Sequence, residues 1–413
     1  MRKTICVLSF SPIASDARVL RQIKYLSLHY DLTIIGYGPE HTLYPESGTI
    51  RWIQLDQQAQ PVIPNLVTAL KTREFNNIHS LKRAQRKLNN GINRALLLLG
   101  NISPIAYETW YGRQKDYQQA LRHAVDLQCN AFLANDWETL PIAATAARMR
   151  NTPVVLDLHE YAPLEFENRP RWWIQKGLIS YILKKYAHRV NAITTVARLI
   201  AERYRDELGL DPVIIMNAPE QLPDLPHEAP DGTIKLIHHG IASPIRHPEL
   251  MIETIARCDQ RYSLHFMFLK NEYIQELQRL AEQKAPGRVT FHDPVPPQDI
   301  TKTISCYDVG FFPIPPVNYN YHACLPNKFF DFICSGLAVC IGPSPSMVEI
   351  VNKYGLGVAC SSFNPEDMAP MLNRITNDQW EGMKQAARNA SAELNAQVEM
   401  KKLINIYERL LVK

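Results

Sequence analysis

The segment that decides the fold is LPNKFFDFICSGLAVCI, residues 325–341. Pro326 suits the first turn of a helix and Gly336 suits its C-terminal end, so the segment predicts a short helix that leads into a buried strand. The start of such a helix offers free N–H groups and a partial positive charge, to which Lys328 adds a full one. The segment therefore predicts a phosphate site, with Asp331 one turn further on. The plainer interpretation is a surface Lys-Asp pair worth a few tenths of a kcal/mol.

Strand-like runs alternate with helical periods on both sides of that segment. In the second half of the chain they lie at 234–238, 264–269, 289–292, 309–312 and 338–341. In the first half they lie at 4–10, 32–35, 131–134, 153–158, 192–196 and 213–216. Alternating β and α elements are typical of parallel, doubly wound sheets. The sequence therefore predicts an α/β protein of two Rossmann-like domains.

A change of composition separates the two halves. Residues 219–232 hold four prolines among acidic residues and carry no apolar period, which is typical of a linker. We therefore expect an N-terminal domain over residues 1–218 and a C-terminal domain over residues 233–390. The closing segment favours helix throughout, and we expect residues 391–413 to form a helix that crosses back to the N-terminal domain.

The overall composition is that of an ordinary folded protein. The chain has 413 residues, of which 46% are hydrophobic and 21% charged, and its formal net charge is +4. So small a charge, with no nucleic-acid motif beside it, argues against a nucleic-acid partner. No apolar run approaches the length of a membrane span, no secretory signal is recognisable, and the eight cysteines form no CxxC pair. We expect buried thiols in a reducing compartment, the cytoplasm.

Polar residues that follow the predicted strands mark the candidate site, because ligands of such sheets bind outside the carboxyl ends of the strands. The loop after the first strand has no GxGxxG pattern, which argues against a nicotinamide or flavin enzyme, and its Asp16 suits a helix N-cap. His159 follows another strand and is either a cleft residue or a satisfied core histidine. Gly240 lets a backbone approach a ligand closely, and the guanidinium of Arg246 can fork onto phosphate oxygens.

Taken in order and spacing, these pieces resemble the GT-B glycosyltransferases, and among them family 4. The resemblance covers nearly the whole chain and rests on the segments 16–19, 157–161, 217–219, 307–310 and 326–332, with Gly240, Arg246 and Gly336. It implies two domains that face across a cleft. It also implies transfer of a sugar from a UDP- or GDP-linked donor to a glycan or lipid-linked acceptor, without a resident cofactor, in the synthesis of a surface polysaccharide or glycoconjugate.

For the donor, the resemblance implies roles for five residues of the second domain. Arg246 and Lys328 correspond to a cationic clamp on the diphosphate and are expected to be catalytic, because negative charge develops there as the nucleotide leaves. Gly240 and the helix-start amides near Asn327 are expected to assist them. Asp331 corresponds to the acidic residue that accepts hydrogen bonds from the ribose hydroxyls.

One position departs from the family pattern. The family pairs two glutamates eight positions apart, and here the later position holds Asp331 while the earlier holds Ala323. The donor-sugar contact of that position is then missing or supplied by the neighbouring His322. No two aspartates are spaced i, i+2, so no Asp-x-Asp metal motif occurs, and we expect protein cations in place of a metal.

The acceptor is expected in the first domain. The resemblance matches His159 to the histidine that contacts the transferred sugar or the reacting centre, and we expect Asp16, Arg18 and Glu160 to bind the acceptor. If transfer retains the configuration of the sugar, which is the expected course, the leaving phosphate itself takes the acceptor proton. If transfer inverts it, a general base is needed, and His159 or Glu160 is the candidate.

A basic stretch interrupts the β-α rhythm of the first domain. Seven basic residues and one acidic residue lie between Lys71 and Arg94, and apolar and aromatic residues follow. A second mixture of tryptophans and cations lies at 171–185. This composition suits an anionic membrane surface, which predicts peripheral attachment at the inner face of the cell membrane. The alternative is a solvated charged face above an apolar core.

Two other functions fit the same two-domain architecture. One is a non-catalytic protein that closes on a sugar or an anion, and the other is a sugar-nucleotide epimerase, which releases its nucleotide without an acceptor. The set of Arg246, Lys328 and Asp331 favours the transferase, as does the absence of a recognisable export signal, because binding proteins of that architecture are usually exported.

Overall fold

The computed structural model describes residues 2–38, 40, 48–56, 77–222 and 232–412, and only the backbone of 77–86. The chain divides into two compact units. The first comprises Met1–Thr194, Asp206–Pro212 and Glu408–Lys413, and the second comprises Thr195–Arg205 and Val213–Tyr407. Both units are α/β and built on parallel sheets, as predicted. Most of the proposed linker, residues 223–231, lies outside the described residues.

The first sheet carries the strands of the N-terminal half. In chain order they are β1 (Thr4–Pro12), β2 (Asp31–Tyr37), β3 (Ile50–Gln54), β4 (Ala131–Asn135), β5 (Val154–Leu158), β6 (Ala192–Thr195) and β7 (Val213–Ile214). Neighbouring strands follow the order β3-β2-β1-β4-β5-β6-β7. The order reverses between β1 and β4, and ligands of such sheets bind at the carboxyl ends of the strands flanking a reversal.

Helices alternate with these strands. They are α1 (Ala17–Ser27), α2 (Asn77–Gly100), α3 (Pro104–Gly112), α4 (Lys115–Asp126), α5 (Asp136–Arg150), α6 (Trp172–Tyr186) and α7 (Arg198–Leu208). The predicted N-cap at Asp16 is confirmed, since its carboxylate accepts hydrogen bonds from the backbone N–H groups of Arg18 and Val19 and so begins α1. Among the helices described, none is both long and apolar enough to cross a membrane.

The second sheet repeats the plan. Its strands are β8 (Ile234–Ile241), β9 (Tyr262–Leu269), β10 (Val289–His292), β11 (Val309–Phe312), β12 (Ala338–Ile341) and β13 (Gly357–Ala359), in the order β10-β9-β8-β11-β12-β13. The reversal falls between β8 and β11. The helices are α8 (Glu249–Arg257), α9 (Tyr273–Lys284), α10 (Ile300–Ile304), α11 (Tyr319–Ala323), α12 (Asn327–Cys334), α13 (Pro345–Tyr354), α14 (Pro365–Arg374), α15 (Asn377–Ser391) and α16 (Ala396–Leu411).

The helix and strand predicted from residues 325–341 are α12 and β12. Three phenylalanines of α12 are fully buried, and Phe332 lies so close to Gly310 of β11 that a Cβ atom there would meet its ring at 2.1 Å. Each buried phenylalanine contributes roughly 1.5–3 kcal/mol of transfer free energy. This packing fixes the start of α12 beside the carboxyl ends of β8 and β11.

The structure also differs from the sequence prediction. β3 and β13 were not predicted, and the closing helical segment is two helices, α15 and α16. They are separate because the buried side chain of Asn395 accepts a hydrogen bond from the N–H of Val398, which caps α16.

All eight cysteines are free thiols, five of them are buried, and Cys306 is exposed, so the expectation of buried thiols holds in part.

Candidate functional site

Lys328, near the start of α12, is buried rather than on the surface. Only 9% of it is exposed, and Asp331 is equally buried, so the interpretation of a surface Lys-Asp pair is wrong. The ammonium Nζ lies 3.4 Å from Nε2 of His238 in β8 and over the ring of Phe312, 5.3 Å from its centre. Lys328 therefore points toward the carboxyl ends of β8 and β11.

The ring nitrogen of His238 that faces Lys328 carries no hydrogen. Its Nδ1 lies 2.8 Å from the backbone carbonyl oxygen of Phe311. Because a carbonyl oxygen only accepts, Nδ1 carries the hydrogen, and Nε2 is left to accept one from the ammonium of Lys328. The histidine therefore holds Lys328 in place without a charge of its own.

Gly240, the residue before the last of this strand, adopts a conformation that favours glycine. Its φ is +118°, and a Cβ atom there would lie 2.9 Å from Nζ of Lys328. A side chain at this position would strain the backbone and crowd the ammonium. The close approach at Gly240 is therefore to Lys328, and an approach of this backbone to a ligand stays a prediction.

The electrostatics of this group favour an incoming anion. Burial, followed by the charge of the nearby Arg246, lowers the pKa of Lys328 to about 7, although Asp331 partly opposes both. Burial followed by Lys328 lowers the pKa of His239 to about 3, and the same two causes lower that of His238, so both histidines are neutral. A bound anion would favour the ammonium, the one form that can neutralise a diphosphate.

His239 is a candidate that the sequence reasoning missed. Its Nε2 lies 3.4 Å from Oδ2 of Asp331 but forms no hydrogen bond with it, and within the described part of the chain this buried nitrogen has no hydrogen-bond partner. A buried polar atom of this kind is costly unless something binds it. The signal was the His-His-Gly sequence at the end of a predicted strand.

Arg246 ends a short 3-10 turn, Pro244–Arg246, that follows β8, and the other predicted donor residues lie on α11 and at the start of α12. Asn327 is exposed and accepts a hydrogen bond from the side-chain amide of Asn217. His322 is exposed on α11. Ala323, where the family pattern has an acidic residue, is fully buried, and its carbonyl accepts a hydrogen bond from Ser346.

In the first unit a second polar group surrounds Asp157, the last polar residue of β5. Its buried carboxylate accepts two hydrogen bonds of 2.6 Å from the guanidinium of Arg18 and one of 2.6 Å from Gln22. Thr194 of β6 donates another. Burial alone would raise the pKa of Asp157, but the guanidinium of Arg18 outweighs it and holds that pKa well below its usual range.

His159, just beyond the end of β5, lies between two carboxylates. Its Nδ1 is 3.0 Å from Asp136 and its Nε2 is 3.2 Å from Asp157. Asp136 adopts φ +60°, a strained conformation for a residue with a side chain, and also accepts a hydrogen bond from the backbone N–H of His159. Burial disfavours the charged ring, but Asp136 and then Asp157 outweigh it and raise the pKa of His159 to about 9.

Three half-buried glutamates belong to the same acidic group. Burial, followed by repulsion from Asp136, raises the pKa of Glu160 to about 7 and that of Glu138 to about 8. Burial and the charge of Glu160 raise the pKa of Glu165 to about 10. Only Glu160 was predicted, because the others lie in helical or turn sequence with no motif. Among the described residues no three side chains are arranged as metal ligands.

The structure therefore connects Arg18 to His159 through the carboxylate of Asp157, and Glu160 follows His159 in the chain. Arg18 is 3% exposed and its guanidinium is held by Asp157, while Asp16 has its carboxylate on the start of α1. Direct contact of these two side chains with an acceptor stays a prediction. The position of Arg18 indicates a supporting role, in which Arg18 orients Asp157 and Asp157 orients His159. Asp16 caps α1.

Comparison with solved structures decides the fold. HepE from Anabaena, in complex with UDP-glucose, superposes with a TM-score of 0.62 at 12% identity, over 99% of this chain and 99% of that one. This is the GT-B fold, as predicted. The GT-B likeness extends to sucrose-phosphate synthase from Thermosynechococcus elongatus (TM-score 0.64, 12% identity, 99% of either chain). It also extends to WaaG, a glycosyltransferase involved in lipopolysaccharide biosynthesis (0.56, 9%, 97% of this chain and 99% of that one).

Comparison of the sequence alone does not assign the chain to a family. No protein-family profile and no curated protein sequence matches it. Membership of family 4 within the GT-B fold therefore stays a prediction.

Proposed function

We propose that this protein is a glycosyltransferase that moves a sugar from a nucleoside diphosphate donor to a glycan or lipid-linked acceptor. The observation that carries the proposal is the buried Lys328, held by His238 against Gly240 at the start of α12, at the strand ends where GT-B ligands are expected. The buried ammonium of Lys328, whose charge is only partly opposed by Asp331, is suited to bind an anion. HepE and its bound UDP-glucose support the choice of a nucleotide sugar.

Charge stabilisation at the leaving group is the chemistry we assign to the second unit. As the bond from the sugar to the diphosphate breaks, negative charge grows on the phosphate oxygens, and the cations of Lys328 and Arg246 lower the energy of that state. We assign the ribose hydroxyls to Asp331 and propose that these protein cations serve in place of a metal ion. The donor is UDP- or GDP-linked.

The first unit is assigned to the acceptor. With a pKa of about 9, His159 is a cation at neutral pH and a poor base, so it is suited to hydrogen bonding and charge stabilisation at the reacting centre. We propose transfer with retention, in which a phosphate oxygen of the leaving group takes the acceptor proton. In an inverting reaction Glu160, with a pKa near 7, would be the better base of the two candidates. Nuclear magnetic resonance of the anomeric proton of the product separates these courses.

The first experiment is a thermal-shift panel with UDP, GDP, CDP and ADP, each with and without EDTA. A ligand that binds only the native state raises the unfolding midpoint according to its affinity. We expect one nucleotide to stabilise the protein equally in both conditions, and the shift to vanish in Lys328→Met but not in the control Lys353→Met, an exposed lysine of α13. No shift with any nucleotide would contradict the proposal and favour a protein that binds sugars or other anions without chemistry.

Product analysis then distinguishes the reactions. Incubation with the stabilising nucleotide's sugar and candidate acceptors is expected to give a glycosylated acceptor and one equivalent of free nucleotide. Free nucleotide released at the same rate without any acceptor would instead indicate the epimerase.

A further inference from the structure

Large apolar side chains are exposed side by side where α2 meets α3. Leu99 is 52% exposed, Ile102 85% and Ile105 74%, and Leu98 beside them is 40% exposed. Leu88 at 65% belongs to the same surface, because Leu88, Ile92, Ala95 and Leu99 recur at the spacing of one helical stripe. We call these residues, from Leu88 to Ile105, the α2–α3 patch. Single exposed apolar residues are common, but a contiguous group of this kind marks an interaction surface.

Basic side chains flank the patch on both sides. Lys87 and Arg94 are exposed and lie seven residues apart, along one flank of the apolar stripe of α2. On the other flank Arg113, just past α3, reaches Asn89, with 3.5 Å between Nη2 and the side-chain oxygen. The one acidic residue between Lys87 and Lys115 is Glu108, and its carboxylate is paired with Lys185 of α6. The surroundings of the patch are therefore cationic.

A tryptophan of α6 lies on the same side. Gly177 packs against the α2–α3 turn so closely that a Cβ atom would lie 2.5 Å from the side-chain oxygen of Asn101. Trp173 is one helical turn before Gly177 on that face, away from the end of α6 that pairs with Glu108, and it is 51% exposed. An exposed tryptophan beside aliphatic and basic residues is typical of surfaces at the boundary between water and lipid.

We propose that the α2–α3 patch binds the surface of a bilayer that contains anionic lipids. The isoleucines at the turn enter the region between headgroups and acyl chains, while Lys87, Arg94 and Arg113 contact phosphate groups. A protein partner that buried this surface would need acidic residues in matching places, whereas an anionic bilayer offers negative charge beside an apolar layer everywhere along its plane. The basic stretch predicted from sequence contributes Lys87 and Arg94 to this surface, and residues 71–76 and the side chains of 77–86 lie outside the described residues.

The test is sedimentation of the full chain with vesicles of phosphatidylcholine alone and of phosphatidylcholine with phosphatidylglycerol in equal parts. We expect the anionic vesicles alone to carry the protein down. Ile102→Ser with Ile105→Ser is expected to weaken that partition by about tenfold or more. Lys87→Gln with Arg94→Gln is expected to weaken it by about 25-fold at low salt, since each basic residue near such a surface contributes about a factor of five.

The matched control carries Met149→Ser with Val412→Ser, two apolar residues 64% and 83% exposed elsewhere on the first unit. We expect it to bind vesicles like the parent chain. Equal loss in the control, or a parent chain that stays in solution with anionic vesicles, would overturn the proposal. The proposal would also be overturned if the parent chain formed a dimer without vesicles and Ile102→Ser with Ile105→Ser made it monomeric. The patch would then bind a second copy of this chain. Nucleotide-induced thermal shifts are expected to be the same in all these variants, so this test stands apart from that of the transferase.

Discussion

The two sheets end in opposite electrostatic environments. Where β4 and β5 end, carboxylates dominate. They raise the pKa of His159, and burial followed by the charge of Asp136 raises the pKa of Glu138 and of Glu160. Where β8 and β11 end, cations dominate, and burial together with Arg246 lowers the pKa of Lys328 to about 7. The same strand-helix plan thus carries an acid-rich group in one unit and a base-rich group in the other.

This difference shows what the fold decides and what the side chains decide. In both sheets the reversal of strand order fixes where polar groups collect. Their chemistry depends on which residues follow each strand, and groups whose pKa values are pushed apart by their surroundings are suited to separate tasks. An excess of buried positive charge suits a phosphate ligand, and a crowded group of acids suits a ligand with hydroxyl groups and protons to exchange.

The largest effect is expected at Asp157. Asp157→Ala leaves the buried guanidinium of Arg18 without its counter-charge, so we expect a loss of about 3–5 kcal/mol in the free energy of unfolding, measured with urea. The control is Asp293→Ala, which removes an exposed partner of Lys270 at 2.9 Å and is expected to change stability by less than about 1 kcal/mol. Similar losses in both variants would show that Asp157 does not anchor the first unit.

Removal of the buried cation Lys328 in the second unit is not expected to destabilise the protein. Lys328→Met eliminates a charge that burial disfavours, so the unfolding midpoint without ligand is expected to stay level or rise. Nucleoside diphosphate affinity and turnover are expected to fall by about tenfold to a hundredfold, the range of one charged hydrogen bond of about 1.5–3 kcal/mol. Calorimetric titration beside Lys353→Met measures this, and unchanged affinity would refute the phosphate assignment.

A pH series sharpens the contrast further. The pKa of Lys328 in the free protein is about 7, and a bound anion raises it, so binding takes up a proton at and above neutral pH. Affinity for a nucleoside diphosphate is therefore expected to fall as pH rises above 7, by at most about tenfold per pH unit. Calorimetry in two buffers of different ionisation enthalpy counts the protons. Lys328→Met is expected to take up none, and an undiminished uptake in that variant would assign the proton elsewhere.

The smallest effect is expected at His322. If this exposed histidine supplies the donor-sugar contact that Ala323 cannot make, His322→Ala is expected to raise KM for the nucleotide sugar by about threefold, as for one neutral hydrogen bond. Affinity for the free nucleoside diphosphate is expected to stay the same, because that ligand carries no sugar on its diphosphate. His188→Ala, an exposed histidine of the first half of the chain, is the control. Equal KM values in the two variants would remove His322 from the donor site.

Most of the fold could be predicted because the inner strands are continuous apolar runs. β4 and β12 are fully buried and were predicted almost to the residue. β3 was missed because an edge strand with Arg51 and Gln54 exposed has neither a continuous run nor a clean alternation. β13 is three residues long, shorter than any periodic signal. The two missed strands thus lack the continuous buried run that β4 and β12 show.

The site could be predicted where its chemistry is local in sequence. Lys328 and Asp331 share one short helix, and the capping and charge rules for a single helix were enough to find them. The burial that shifts the pKa of Lys328 is not local, since it depends on His238 and Phe312 from other elements. Glu138 and Glu165 were missed for the same reason, because only the folded chain brings Glu138 close to Glu160 and Glu165.

The ion pair between Arg18 and Asp157 restricts how this sequence can change in evolution. Arg18 and Asp157 are 139 residues apart in the chain, yet loss of either leaves a full charge stranded in the interior. Descendants and ancestors of this protein are therefore expected to keep both residues or to have exchanged them together, as a linked pair of substitutions. Among diverged GT-B sequences that align poorly, such a correlated pair would mark lineage more durably than any surface motif.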